Sequence, residues 1–420
     1  MIESICLFED PQYPNLYPLV YFRPTYDLRC GILTLKEKVQ HYFPKTPVTL
    51  HCREYLRDLV KQQNPDAFVN EIKYKNILFL NGRVIINSSL AAQISSAEEK
   101  LFIKGETIIA AMVSGSKLEW IKDKLNNPLD SSLFTGLPEH EVDAVVINYP
   151  WNLVANNGNE IINDFNIITS ENKGSKIKGK VYAGVHLLDE TNIFIDEGAK
   201  VKPGVVLDAE SGPIYIGKEA KIFPNAVIEG PAFIGDKTAI KIGAKIYENT
   251  SIGEVCKVGG EVEESIIHSY SNKQHDGFLG HAYLGMWVNL GADTNNSDLK
   301  NNYGSVKVII NGQQIDSGSM FVGLTMGDHS KSAINTMFNT GTVVGVSSNV
   351  FGSGFPPKFI PSFSWGGSDA LSTYNVDKAL EVAKRVMARR NISLTPVEEK
   401  VFRYVFEHTM EERKKFGVNS

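Results

Sequence analysis

The chain has 420 residues, 42% of them hydrophobic and 22% charged, with a formal net charge of -5. That balance lacks the basic footprint of a nucleic-acid binder, and no 18-residue apolar run offers a membrane span. Four scattered cysteines, Cys6, Cys30, Cys52 and Cys256, show neither zinc spacing nor the density of a disulfide scaffold.

A chain of this length predicts two or three domains. Its opening, MIESICLFEDPQYP, carries acids where a secretory leader has a basic region, which predicts a cytoplasmic protein. Up to about residue 150, short β-rich runs (SICLF, PVTLHC, NILFL, AVVINY) alternate with helix-like segments such as LTLKEKVQHYF and SLAAQISSAEEKLF. The alternation predicts an α/β domain with a mainly parallel sheet. NYPWNLVANNGNEIINDF then reads as a linker helix and SENKGSKIKGK as a polar connection out of it, which sets the first domain at 1–170.

Beyond it the period changes. Ile195, Val201 and Leu207, then Ile216, Ile222, Ile228, Ile234, Ile240, Ile246, Ile252 and Val258, follow one another in steps of six after a three-residue insertion. Small residues such as Ala220, Ala226, Ala232 and Ala244 lie four places after most of them. Neither an amphipathic helix nor an alternating strand makes such a series. It predicts a parallel β-helix over 171–368, each hexad forming one flat side with its large apolar residue inside. Hexapeptide solenoids of this sort wind left-handed, against the usual crossover rule. The period fades after Val258, returns at Leu284 and Leu290, and is expected again at Val322, Asp328, Ile334, Thr340 and Val346. Between these blocks, 295–320 is an inserted arm in which VKVIINGQQID forms a hairpin with an Asn-Gly turn. Residues 369–420 predict amphipathic helices.

The order α/β domain, linker helix, hexapeptide β-helix, together with HDGFLGHAYLGMWVNLGADTNNSDLKNNYG, resembles a divergent branch of the bifunctional N-acetylglucosamine-1-phosphate uridyltransferase and glucosamine-1-phosphate acetyltransferase family. The resemblance implies a homotrimer that uses acetyl-coenzyme A, a sugar phosphate and a nucleoside triphosphate, without nucleic-acid or membrane partners. It matches His275 to the catalytic base and Asn289 to a sugar contact. Asn301, Asn302 and Tyr303 stand for a later Asn-Tyr pair, and Ser330 and Lys331 fall near the coenzyme-contacting coil. Acyl transfer to an amine needs a base for the departing proton, which a neutral imidazole supplies. Lys273 is the basic residue left to meet an acceptor phosphate, among Glu261, Glu263 and Glu264. Asn295 and Asn296 are either sugar contacts or turn residues. His281 either lines the pocket or is structural. Lys384, Arg385, Arg389 and Arg390 either reach coenzyme phosphates or form a solvated face.

The N-terminal domain departs from the family pattern. It has no glycine-rich phosphate loop; NLYPLVYFRPTYDLRCGILTLKEK stands there instead, and Arg23 and Arg29 are candidates to clamp phosphates bidentately. FLNGRVI puts Arg83 where a metal-binding aspartate belongs, so Arg83 joins the nucleotide-binding candidates. Mg2+ stays a candidate cofactor with Asp10 and Asp143 as possible ligands and its site unknown. Two other readings remain open: a sugar-1-phosphate nucleotidyltransferase whose β-helix serves assembly only, and an inactive trimeric scaffold.

Overall fold

The computed structural model describes residues 2–95, 98–125, 127–170 and 174–418. In the N-terminal domain, β1 (Ser4–Phe8), β2 (Val48–Leu50), β3 (Phe68–Val69), β4 (Asn76–Asn81), β5 (Lys100–Lys104), β6 (Thr107–Ser114) and β7 (Glu139–Glu141) form one sheet in the order β3-β2-β1-β4-β6-β5-β7. It is mainly parallel; only β6 runs against its neighbours. The central strands are apolar throughout because both faces are covered. Ile5, Leu7, Leu78 and Leu80 enter one core, and Cys6, Phe8, Ile77 and Phe79 the opposite one. AVVINY does not join this sheet: Val145–Val146 pairs antiparallel with Val84–Ile85.

Helix α1 (Leu35–Tyr42) starts at a capping box in which Thr34 and Glu37 satisfy each other's backbone N–H. The second predicted helix is shorter than its pattern, Ser88–Ile94, and residues 96–97 of that stretch lie outside the described residues. Helix α2 (Pro150–Ser170) is the linker; of the polar connection after it, 171–173 are likewise outside the described residues.

The β-helix follows the hexads. Ile216, Ile234 and Ile252 stack across three successive parallel strands, one coil of 18 residues apart, and are fully buried. Three outward faces result. One carries Phe194, Tyr215, Phe233, Ser251 and Tyr283 and docks against α2 and the N-terminal domain. A second aligns Lys180, Lys200, Lys221, Ala239, Lys257 and Asn272, then Asn289 and Lys331. The third carries Asp208, Glu229, Glu261 and Glu263.

After the arm the inward phase differs from the predicted one. Leu284 stacks on Met326, and Phe338, Val344 and Val350 continue inside, so Asp328, Ile334, Thr340 and Val346 lie two residues past the inward positions. Ile334 is accordingly 67% exposed. The arm contains a hairpin, Lys307–Ile310 with Gln313–Asp316. Asn311 and Gly312 both have positive φ, as a two-residue turn of matching twist requires. Its Val306, Val308 and Ile310 are buried against Trp151, Val343 and Phe359. Helices α3 (Val376–Ala388) and α4 (Pro396–His408) follow, α4 opened by a Thr395/Glu398 capping box, and pack against the N-terminal core. Among the described residues no helix is long and apolar enough to cross a membrane.

Candidate active sites

His275 stands at the corner between the lysine face and the acidic face, where the chain passes from Asn272–Lys273 to Phe278–Gly280. Its side chain is exposed. Lys273 does not point to an acceptor. It occupies an inward position, in register with Val258, 1% exposed. Its ammonium donates to the carbonyls of Gly259 (3.1 Å) and His275 (3.0 Å), and burial pushes it down to about 8. Lys273 therefore pins the backbone of His275 from inside the prism. The acids upstream face away from the lysine side: Glu261 pairs with Lys245, and Glu264 with His281. His281 lies between Glu264 and Asp298 (2.9 Å), whose hydrogen bonds overcome its burial and hold it up at about 9. That is a structural tie.

A cleft of 230 Å³ opens on the lysine face, between the β-helix and α3. It joins residues distant in sequence: Asn289 and Lys331 from neighbouring coils, Lys257 from an earlier one, and Arg389 and Arg390 from just beyond α3. Gln274, beside His275, forms part of its wall. Its lining has no carboxylate among the described residues. Partial burial, and next the charges of Arg390 and Arg389, lower the Lys257 ammonium. Lys331, whose ammonium donates to the His329 carbonyl (2.7 Å), is pushed down to about 8 by burial. Cations crowded together without a counter-charge favour an anion beside them. Lys384 and Arg385 do not take part; they pair with Glu399 and Glu381 on the solvent side.

Three other β-helix candidates are engaged in hydrogen bonds to the backbone. Ser330 is fully buried, donating to the Gly345 carbonyl (2.6 Å) and accepting from the Ser348 N–H (2.9 Å). Asn296 bridges both backbone groups of Gly280, and Asn295 accepts from the Phe278 N–H, so each completes a ladder that the arm interrupts. Tyr303 is 68% exposed on a turn of the arm, away from the cleft residues.

The arginines of the N-terminal domain are compensated. Arg23 is buried and pairs through both terminal nitrogens with Asp328 of the β-helix. Arg29 pairs with Glu254 (2.7 Å), and its backbone exchanges hydrogen bonds with the Tyr283 hydroxyl. Lys38 is held by Asp164 (2.5 Å) and Glu160 (2.6 Å) of α2. Gly31, at φ 87, lies so close to α2 that a Cβ would meet Asp164 Oδ2 at 2.5 Å. The Arg-Pro and Leu-Arg-Cys-Gly stretch is thus the clasp that seats this domain on the β-helix and linker.

Ligands of open α/β sheets bind beyond the carboxyl ends of the strands where strand order reverses. Here that point lies between β1 and β4, and a cleft of 480 Å³ opens there, lined by Asp10, Arg83, Asp130 and Asn148. Arg83, 1% exposed, gives Nε to Asp10 (2.9 Å) and Nη1 to Ile147 O and Asn148. Asp10 also accepts from Asn81 and the Gln12 N–H. With both its oxygens engaged, Asp10 does not fit a Mg2+ ion; Asp143 is exposed on another edge beside Lys104. No group of three or more His, Cys, Asp or Glu is placed to hold a metal among the described residues.

Counting coil equivalents from Asn289 along the lysine face would have found Lys257 and Asn272. Nothing local in the sequence marks Tyr270 and Trp287 as cleft walls.

Residues 5–173 match the sugar nucleotidyl transferase family. The chain is 29% identical to a bifunctional protein GlmU of Rippkaea orientalis over 33% of this chain and 35% of that one. It is 35% identical to GlmU of Synechococcus elongatus over 27% and 29%. A bifunctional sugar-1-phosphate nucleotidylyltransferase/acetyltransferase of Sulfurisphaera tokodaii is 29% identical over 51% of this chain and 46% of its own. The matches span less than half the length of each of these relatives. The first part of the chain is thus similar to the sugar nucleotidyl transferase family, and the chain resembles bifunctional GlmU-type proteins over less than half of their length.

Proposed function

We propose that the chain is a two-domain transferase of sugar nucleotide synthesis. Its β-helix moves the acetyl group of acetyl-coenzyme A to the amine of an amino-sugar phosphate, and its N-terminal domain couples a sugar 1-phosphate to a nucleotidyl group. The observation that carries this is the uncompensated cation cleft next to the exposed His275. The phosphates of the acyl donor rest among Lys257, Lys331, Arg389 and Arg390, with Asn289 beside them. The amine attacks the thioester carbonyl, a C–N bond forms as the C–S bond breaks, and His275 takes the amine proton. Lys273 keeps the His275 backbone in place. The assembly that goes with this reading is a homotrimer, three copies joined by a heterologous contact that closes into a ring.

The test is acetyl-coenzyme A consumption with glucosamine-1-phosphate. His275→Ala is expected to slow turnover by about 10²–10⁴-fold; unchanged turnover removes His275 from the mechanism. The nucleotidyl half is tested by pyrophosphate release across sugar-phosphate and nucleotide pairs. Release with no pair supports a second reading, favoured by the closed Asp10–Arg83 pair, in which this domain is a scaffold for the acetyltransferase.

A further inference from the structure

A third cavity, of 250 Å³, lies where three parts of the molecule meet. Phe22 and Arg23 come from the N-terminal domain, Trp287 and His329 from the β-helix, and Leu394 and Phe402 from the C-terminal helices. Neither the family match, which ends at residue 173, nor the acetyl-transfer reading makes use of it.

Two of its walls, Trp287 and His329, come from one corner of the β-helix. Tyr270, Trp287 and His329 occupy equivalent turns of successive coils, and all three have positive φ (63, 61 and 61). The same corner carries Glu219, Lys237, Val255, Ser347 and Phe363 in other coils, also at positive φ, so the left-handed turn belongs to the corner and these three coils add rings to it. The rings build a stack: Tyr270 on Trp287 at 4.4 Å and 15°, and His329 nearly parallel to Trp287 at 18°. Phe402 meets the His329 ring edge-on at 4.9 Å and stacks on Phe22 at 4.6 Å.

The polar groups restrict the occupant. Arg23 is neutralised by Asp328, and Lys36 by Asp27 (2.8 Å). Glu37 and Glu398 are tied into capping boxes. Burial, and next neighbouring cations, keep His268 and His329 neutral. Nδ1 of His329 is fully buried without a hydrogen-bond partner, and Nε2, which is not closed off in this way, has none among the described residues either. Glu37 and Glu398 keep their negative charge, which disfavours a phosphate here. What remains are the aromatic rings and Nε2 of His329. The volume is below the ~300–1,000 Å³ of pockets for drug-sized ligands, which suits a ring with its sugar and not a whole coenzyme.

We propose that this junction cavity binds the heteroaromatic base of a nucleoside, stacked on the Trp287–His329 corner and hydrogen-bonded to His329. Because the walls belong to all three parts, occupancy ties the N-terminal domain to the β-helix, and Trp287 carries it to the transfer cleft, which it also lines. The site stands independently of the acetyl-transfer reading.

Hydrogen exchange on the full wild-type chain, with and without millimolar uridine or adenosine, tests it. Peptides containing Trp287, His329 and Phe402 are expected to exchange several-fold more slowly with at least one nucleoside, and the two arms identify the base. Leu394→Trp, which fills the cavity, is expected to weaken binding at least tenfold in calorimetry. Absence of protection with both nucleosides overturns the proposal, as does a folded Leu394→Trp that binds as tightly as wild type. If that variant does not fold, the wild-type exchange result decides alone.

Discussion

The two ends of the molecule treat cations in opposite ways. In the N-terminal domain Arg23, Arg29, Arg53 and Arg83 are buried, each against a carboxylate. On the lysine face Lys257, Lys331, Arg389 and Arg390 share a cleft whose lining holds no carboxylate among the described residues. A buried pair has spent its charge: its desolvation cost is offset by one partner, and nothing is left over for a ligand. An uncompensated cluster keeps its field, which a phosphate can then satisfy. Compensation, and not the presence of arginine, separates framework from site.

The largest effect tests the compensated side. Arg83→Ala leaves Asp10 buried without its partner and is expected to cost about 3–5 kcal/mol in denaturant unfolding. Arg83→Met with Asp10→Leu should recover much of that loss. A single variant as stable as wild type would mean that Arg83 is not framework, and would return it to the nucleotide-binding candidates. On the uncompensated side the effect moves to binding. Arg389→Ala and Arg390→Ala are each expected to raise the KM for acetyl-coenzyme A about tenfold, roughly 1.4 kcal/mol, while leaving kcat unchanged. The penalty should shrink in high salt, because exposed charges are screened. A fall in kcat at constant KM would place these arginines at the reacting atoms instead.

Local chemistry was legible; long-range pairing was not. The hexads from Ile216 to Val258 predict the prism because each coil repeats one packing problem. The Asn-Gly turn acts within a few residues. The arm then removed the reference for counting, so the phase after it came out two residues late and Ile334 was assigned inside. Arg23 looked like a phosphate ligand because its partner, Asp328, lies 305 residues away. Lys273 looked like one because a lysine inside a prism contradicts every average about burial; two backbone carbonyls left free at the corner are what accept it there. Of the cleft, Asn289 and Lys331 were expected, but only the folded chain sets them beside Lys257 and Arg390.

The smallest effect separates the two buried lysines. Lys273 and Lys331 are both pushed down to about 8 from an ordinary 10.5. Between those values the unfolded chain binds more protons than the folded one, so each lysine makes stability rise with pH through that window. The gain is complete above about 10.5 and lost as pH falls through 8. Phosphate binding at the cleft has the opposite sign, because it uses the protonated Lys331 and should weaken as pH rises through 8. Lys331→Met is therefore expected to flatten the binding profile between pH 7 and 9 while keeping the share of the stability slope that Lys273 supplies. Lys273 touches only carbonyls inside the prism, so Lys273→Met should remove its share of the stability slope and leave the pH dependence of binding in place. Titrating coenzyme A affinity and denaturant midpoint on both variants checks the pair. If the Lys273 variant alone loses the binding slope, the cleft is not where the anion sits.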